Sequence, residues 1–157
     1  MVSESARMNS AAEARFRVQA PNSRPRATAV IALDRDAQRV IERLAGAGWQ
    51  HASFFSAATA DSLHDLSGRT RSLSDEVDRA DLVVLVAGPG GHAHAAAAIG
   101  DACSRRRVMT TGFVVAATSA PEREVSKTLA QLRPWSLMVV IAGHDSYIDD
   151  MLTALRA

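Results

Sequence analysis

An almost unbroken apolar segment, DLVVLVAG at 81–88, constrains the fold of this chain more than any other feature of its sequence. A half-exposed strand alternates apolar with polar residues, whereas a strand that is apolar on both faces is typical of a parallel sheet covered by helices on both sides. The segment therefore predicts a buried parallel strand inside an α/β protein.

The rest of the chain repeats this order of apolar run and amphipathic segment. Strands are predicted at 27–33, 49–57, 81–88, 107–118 and 136–143, with a very short one near 63–66. Helices are predicted at 34–48, 73–80 (with Ser74 as N-cap), 92–104, 120–133 and 146–157. This alternation, with right-handed crossovers, predicts a Rossmann-like, doubly wound, mostly parallel sheet of five to six strands in three α/β/α layers.

The length of 157 residues suits one domain with a real hydrophobic core. We predict a single Rossmann-like domain at 27–157. The preceding residues, 1–26, are polar and rich in Ala and Arg, and Pro21 and Pro25 would interrupt a helix there. They are predicted to form a flexible or partly helical N-terminal leader.

The charges nearly balance, with 18 Lys+Arg against 17 Asp+Glu and a formal net charge of +1. This balance argues against nucleic acid or an acidic membrane as the main partner. There is neither an apolar run of about 20 residues nor a secretory signal, so we expect a cytoplasmic protein without a membrane partner. Cys103 is the single cysteine, which excludes an intramolecular disulfide. The preference for Arg and Ala is typical of a GC-rich genome, and a bacterial source is expected.

The loop after the apolar strand reads AGPGG at 87–91 and precedes a helix. A strand, a glycine loop and a helix in this order direct backbone N–H groups and the positive end of a helix dipole toward one point. Gly88, Gly90 and Gly91 are therefore candidate ligand-binding residues. The alternative is that these glycines serve only the steric needs of the turn.

Two histidines follow, His92 and His94. Two positions apart on a regular helix they would diverge by about 200°, but on extended backbone both side chains could face one side. Strand ends elsewhere add Asp34 and Asp36, which join the candidate ligand-binding residues with the two histidines. A metal site is predicted from His92, His94, His144 and Asp145. The alternative is that the histidines merely cap and solvate a helix start.

The segment ADLVVLVAGPGGHAHAAAAIGDA at 80–102 resembles the signature loop of the FtsZ/tubulin family, A-G-M-G-G-G-T-G-T-G-A-A, with the strand before it. Ala87, Gly88, Gly90 and Gly91 match that motif without a gap. VMTTGFVVAAT at 108–118 and AQLRPWSLMVVIAGHD at 130–145 are similar to later strands of the family. The resemblance covers most of 27–150 and implies the nucleotide-binding fold of GTPases that polymerise.

The departures from the family pattern fall on the nucleotide loops. The glycine-rich first loop is replaced by Asp34-Arg35-Asp36, whose carboxylates would repel a polyphosphate. In the signature loop, glycine and threonine positions have become His92, His94 and Ala95. SGRTRSLSDEV is too short for the loop that senses the terminal phosphate, and we expect the family's second domain to be absent. The resemblance thus implies a scaffold that does not hydrolyse GTP, and GTP is not expected as a cofactor.

Three hypotheses for function follow. The first is a non-catalytic FtsZ/tubulin-like domain whose partner is another protein or a further copy of itself, and it predicts an exposed apolar patch. The second is a small-molecule or metal-binding domain, possibly an enzyme, built on the loop from Gly88 to His94 at the carboxyl edge of the strands. The third is a residual nucleotide sensor. The identity of any cofactor stays open, and an enzyme is the less favoured outcome.

Overall fold

The computed structural model describes residues 24–157 and confirms the predicted fold class. Seven strands form one sheet in the order β4-β3-β2-β1-β5-β6-β7. The strands are β1 (Thr28–Ala32), β2 (Ala52–Ala57), β3 (Ser62–Asp65), β4 (Thr70–Ser72), β5 (Leu82–Ala87), β6 (Met109–Val114) and β7 (Met138–Ile141). The sheet is mostly parallel, because β2, β1, β5, β6 and β7 all run in one direction.

Five α-helices lie on the two faces of the sheet. They are α1 (Arg35–Ala45), α2 (Leu73–Arg79), α3 (Ala96–Arg106), α4 (Glu122–Leu132) and α5 (Ser146–Ala154). One core cluster joins α2, α3 and α4 to one face of the sheet, and a second joins α1 and α5 to the other. Together these clusters make the predicted three α/β/α layers.

The central strands β1 and β5 are buried at every residue, as an apolar strand covered on both faces should be. They pair in parallel, from Thr28 with Leu82 to Ala32 with Val86. The chain proceeds to β2 on one side of β1 and to β6 and β7 on the far side of β5, so the order of strands reverses between β1 and β5. The loops after these two strands therefore lie side by side at the carboxyl edge, where open α/β sheets bind their ligands.

A short antiparallel hairpin extends the edge beyond β2. The predicted strand near 63–66 is β3, whereas β4 was not predicted. The Asp65 carboxylate holds the turn, since it accepts hydrogen bonds from the backbone N–H and the hydroxyl of Ser67, from the Arg69 N–H and from Arg71. The Ser67 hydroxyl, foremost among these donors, holds the pKa of Asp65 well below its usual range.

One predicted N-cap and one predicted helix start were wrong. The second helix begins at residue 73 as predicted, but its N-cap is Ser72 rather than Ser74, because Leu73 turns into the core as the first helical residue. The third helix was predicted to begin at 92, but α3 begins at Ala96. Residues 92–95 stay outside the helix because the Ala93 N–H is hydrogen-bonded to the Gln131 side chain of α4.

Gly100 lies in the middle of α3, and a glycine at such a position is expected to weaken a helix. In the structure it is the place where Trp135 packs against α3, and a Cβ at Gly100 would overlap with Trp135 Cβ. Trp135 belongs to a 3₁₀ turn, Arg133–Trp135, that joins α4 to β7. The glycine therefore permits the close approach of α3 to this connection.

The predicted leader, 1–26, lies outside the described residues except for its last three. Within 24–157 the longest helices have 11 residues, and none has the length and apolar composition that crossing a bilayer requires.

Candidate functional site

The candidate site lies at the carboxyl edge, where the loops after β1 and β5 meet. Asp34 joins the two loops. Its Oδ1 accepts from the Ala37 N–H at 2.9 Å, which caps α1, and its Oδ2 accepts from the Gly88 N–H at 2.8 Å. The first N–H group of the glycine loop therefore already has a hydrogen-bond acceptor, the Asp34 carboxylate.

The glycine loop turns sharply before α3. Gly90 and Gly91 have φ angles of 118° and 75°, in the region that favours glycine. The Gly90 N–H donates to the backbone carbonyl of Glu124 at 3.1 Å, at the start of α4. This hydrogen bond joins the turn to α4, which lies beside it.

Thr128 of α4 is fully buried and holds the loop at two points. Its hydroxyl donates to the Gly88 carbonyl at 2.8 Å and accepts from the Gly91 N–H at 3.1 Å. One hydroxyl therefore satisfies a backbone acceptor and a backbone donor of the same loop, as buried polar groups require.

Gln131 lies one turn further along α4 and holds the next part of the loop. Its Oε1 accepts from the Ala93 N–H at 2.8 Å, while its Nε2 donates to the Gly91 carbonyl at 2.9 Å. Nε2 also lies 3.1 Å from Nδ1 of His94, and since an amide nitrogen only donates, His94 Nδ1 is the acceptor. His94 is thus part of the contact between the loop and α4.

Four backbone N–H groups of the loop, those of Gly88, Gly90, Gly91 and Ala93, donate to other atoms of the protein. A loop that cradles phosphate directs such N–H groups at the anion. Here their acceptors are Asp34 and three groups of α4. A phosphate could use these donors only after the Asp34 carboxylate and α4 had moved away.

His92 is exposed and lies at the outer side of the turn. A Cβ at Gly90 would lie 3.1 Å from its Cδ2, and Glu124 is the neighbouring carboxylate. Lys127 Nζ donates to Glu124 Oε1 at 3.0 Å. This hydrogen bond is the main cause that lowers the pKa of Glu124, and the charges of Lys127, Arg123 and His92 act in the same direction.

The other predicted site residues are distributed around this edge. The side chain of Asp36 lies against Gly88, where an added Cβ would be 2.8 Å from Asp36 Cβ. His144 is exposed after β7, and Asp145 forms an ion pair of 2.9 Å with Arg43 of α1. Asp34 and Asp36 therefore meet the glycine loop, while Asp145 is engaged by α1.

The predicted metal site was His92, His94, His144 and Asp145. Across residues 24–157, no three side chains of His, Cys, Asp or Glu are grouped so that they could hold a metal ion. A closed protein metal site uses about four such ligands. The geometry therefore lends this hypothesis no support.

An open cavity of about 300 Å³ lies beside the glycine loop, between Pro89, Gly90 and the start of α4. Asp36 and Glu124 are the two charged residues among those that line it. Both carboxylates can accept from a cationic ligand, in competition with the basic partners that they already have, Arg39 and Lys127.

Comparison with models of known protein families finds no match to this chain, and comparison with curated proteins finds none either.

The sequence reasoning missed the contribution of α4. Val125, Leu129 and Leu132 form the buried stripe that predicts an amphipathic helix. Next to it, polar residues recur at intervals of three and four, the spacing that places them on one flank of a helix. They are Glu124, Lys127, Thr128 and Gln131. This second periodicity was a signal that the sequence offered, because a polar flank that includes a threonine can pack against another part of the protein and need not face solvent.

Asp34→Ala should lower the free energy of unfolding by about 2 kcal/mol, since it removes an N-cap and a charge-assisted hydrogen bond to Gly88. Chemical denaturation measures this. Asp36→Ala is the matched control, because the Asp36 side chain is half-exposed and forms only a long ion pair with Arg39. The control should change stability by less than about 0.5 kcal/mol. Equal effects of the two substitutions would contradict the structural role of Asp34.

Proposed function

We propose that this chain is a non-catalytic, FtsZ/tubulin-like domain that acts by binding a protein or a further copy of itself, without hydrolysing GTP. The observation that carries the proposal is the engagement of the glycine loop: its N–H groups at Gly88, Gly90, Gly91 and Ala93 already have acceptors within the protein.

Electrostatics support the same reading. Asp34 and Asp36 follow β1 at the place where a nucleotide would put its phosphates, and Glu124 stands on the other side of the loop. Carboxylates this close to a polyphosphate repel it. The stem of Lys127, the one lysine of the chain, lies against Gly91, and its Nζ donates to Glu124.

The surface supports binding as the mode of action. Four of the six large apolar side chains that are exposed among the described residues lie on or next to β7 and the start of β6: Met109, Leu137, Met138 and Ile141. Exposed apolar residues gathered at one place mark interaction sites more often than single ones do.

The alternative is a small-ligand site at the carboxyl edge. The cavity beside Gly90 supports it, and its two carboxylates favour an amine or another cationic group. A test with anionic nucleotides and with cationic ligands therefore separates the two proposals.

A thermal-unfolding titration of the full chain tests the proposal. With 1 mM GTP, GDP or ATP and Mg²⁺, the melting temperature should not change. A nucleotide bound with a Kd of about 10 μM would stabilise the protein by about 2.7 kcal/mol at that concentration. Asp34→Ala, which is expected to lose about 2 kcal/mol, is the control that the assay resolves a difference of this size. Saturable stabilisation by a nucleotide, or release of phosphate from GTP, would overturn the proposal.

A further inference from the structure

The outer edge of β7 is open among the described residues, since β6 is its one neighbour in the sheet. From 136 to 143 the sequence reads SLMVVIAG, without a charged residue or proline. Leu137 is 79 % exposed, Met138 54 % and Ile141 52 %. Natural edge strands are usually protected by charges, prolines or bulges, and β7 lacks the first two. An apolar edge of this kind is suited to pairing with another strand.

We propose that β7 pairs with β7 of a second copy of this chain, antiparallel and about a two-fold axis at Val139, so that two seven-stranded sheets become one. This inference rests on the proposed function and names the partner as the chain itself. Two-fold pairing is the commonest form of self-association, and it requires a surface that is complementary to itself.

The backbone of β7 selects the register. The Ala142 N–H donates to the Val114 carbonyl of β6 at 2.9 Å. Backbone groups of successive residues in a strand point to opposite edges, so those of Met138 and Val140 face β6, while those of Val139 and Ile141 point to the open edge. An axis at Val139 makes a hydrogen-bonded pair of Val139 with Val139 of the second copy, and it sets Ile141 of each copy opposite Leu137 of the other.

Neighbouring registers are less favourable. A two-fold axis perpendicular to the sheet keeps each face on its own side, so it must pass through a residue and not between two. An axis at Val140 would set Leu137 opposite Gly143, so the exposed Leu137 side chain would have no apolar partner. An axis at Met138 would set Ile141 opposite Trp135, which lies in a 3₁₀ turn.

The side chains agree with an axis at Val139. Val139 packs with the core on the α4 side of the sheet, and Val140 packs with the core on the α5 side. Leu137 and Ile141 share the α4 side with Val139, because side chains alternate along a strand. In the proposed pair, the exposed Leu137 of one copy covers the exposed Ile141 of the other, on both sides of a Val139–Val139 contact.

Charges at the two ends of β7 are complementary. The amino end lies near Arg107, after α3, and Arg133, after α4. The carboxyl end lies near Glu122 and Asp149, in the first turns of α4 and α5. Within 24–157 none of these four side chains has an ion-pair partner. Antiparallel pairing brings the basic end of one copy to the acidic end of the other, whereas parallel pairing would bring like charges together.

Sedimentation velocity of the full chain across a concentration series tests the association. The wild type should form a dimer, and Leu137→Lys should weaken it by at least about tenfold, because each dimer would then contain two lysines in the apolar seam. Leu66→Lys is the matched control: Leu66 is 47 % exposed, after β3 near the opposite end of the sheet. The control should leave the dimer unchanged. Thermal unfolding verifies that both variants are folded.

Disulfide cross-linking tests the register. Val139→Cys should form a dimer linked at the axis, since a hydrogen-bonded antiparallel pair has Cα atoms about 5.5 Å apart, within the range of a disulfide. Val140→Cys is the control, and it should cross-link far less. The wild type, whose Cys103 is buried, should not cross-link.

The outcomes separate this inference from the proposed function. A dimer that survives Leu137→Lys and does not link at Val139→Cys overturns edge pairing but leaves self-association in place. Preferential linking at Val140→Cys overturns the register. A monomer at all concentrations overturns the pairing, and if the amides of Val139 and Ile141 are then protected from hydrogen exchange, a segment of the same chain covers the edge. Nucleotide binding would instead refute the proposed function whatever the oligomeric state.

Discussion

Gly100→Ala should lower the free energy of unfolding by about 3 kcal/mol, although alanine favours helices over glycine by about 1 kcal/mol. The reason is that the added Cβ would overlap with Trp135 Cβ and lie 2.8 Å from its Cγ. The Trp135 Cβ is attached directly to the backbone, so no rotation of the side chain can move it away. α3 and the turn before β7 would have to separate, with loss of packing around Trp135. Urea denaturation measures the change.

Gly46→Ala is the matched control for this prediction. Gly46 ends α1 with a φ of −66°, which alanine adopts without strain, and its added Cβ would meet only the Arg43 carbonyl at 3.4 Å. It should be neutral or stabilise by about 0.5 kcal/mol, through a less flexible unfolded chain. If Gly100→Ala were equally harmless, the close packing of Trp135 on α3 would be wrong.

Thr128→Val should lower the free energy of unfolding by about 3 kcal/mol, because it keeps the shape of the side chain but removes the hydroxyl that serves two backbone groups. The Gly88 carbonyl would lose the hydroxyl donor that lies 2.8 Å away, and the Gly91 N–H would lose the hydroxyl acceptor that lies 3.1 Å away. Chemical denaturation again gives the value, and hydrogen exchange should show faster exchange at Gly91.

Two other substitutions on α4 isolate the cause. Thr128→Ser keeps the hydroxyl and loses one methyl group, so it should cost only about 1 kcal/mol. Ser126→Ala changes an exposed position on the same helix and should stay within about 0.5 kcal/mol. An equal loss for Thr128→Ser and Thr128→Val would mean that packing, and not the hydroxyl, is what the loop requires.

The parallel sheet was predictable from the sequence because its signal is repeated along the chain. The uniformly apolar β5 can be stable only between two layers of helices, and each amphipathic segment provides part of those layers. β4 was not predictable in the same way. Its three residues, TRS, carry no apolar pattern, and the strand depends on β3 and on the turn that Asp65 stabilises.

The candidate site was predicted only in part, for a physical reason. Gly88, Gly90 and Gly91 stand out because their residue type is restricted by local conformation, and the sequence reports such local needs. Their side-chain partners on α4 lie 37 to 40 residues further along the chain. Spacing within the loop carries no information about these partners. For the same reason, the interpretation of Asp34 as a group that repels phosphate missed its bond to Gly88, which lies 54 residues further along the chain.

The distance along the chain between the glycine loop and α4 has a consequence for the order in which the protein can be completed during synthesis. When β5 and its loop leave the ribosome, the hydroxyl of Thr128 and the amide of Gln131 have not yet been made, so the loop groups that they bind have no protein partner until about 40 more residues have been added. Contacts of such long separation slow folding. The glycine loop in the middle of the chain can therefore reach its final conformation only after the last third of the chain has been made.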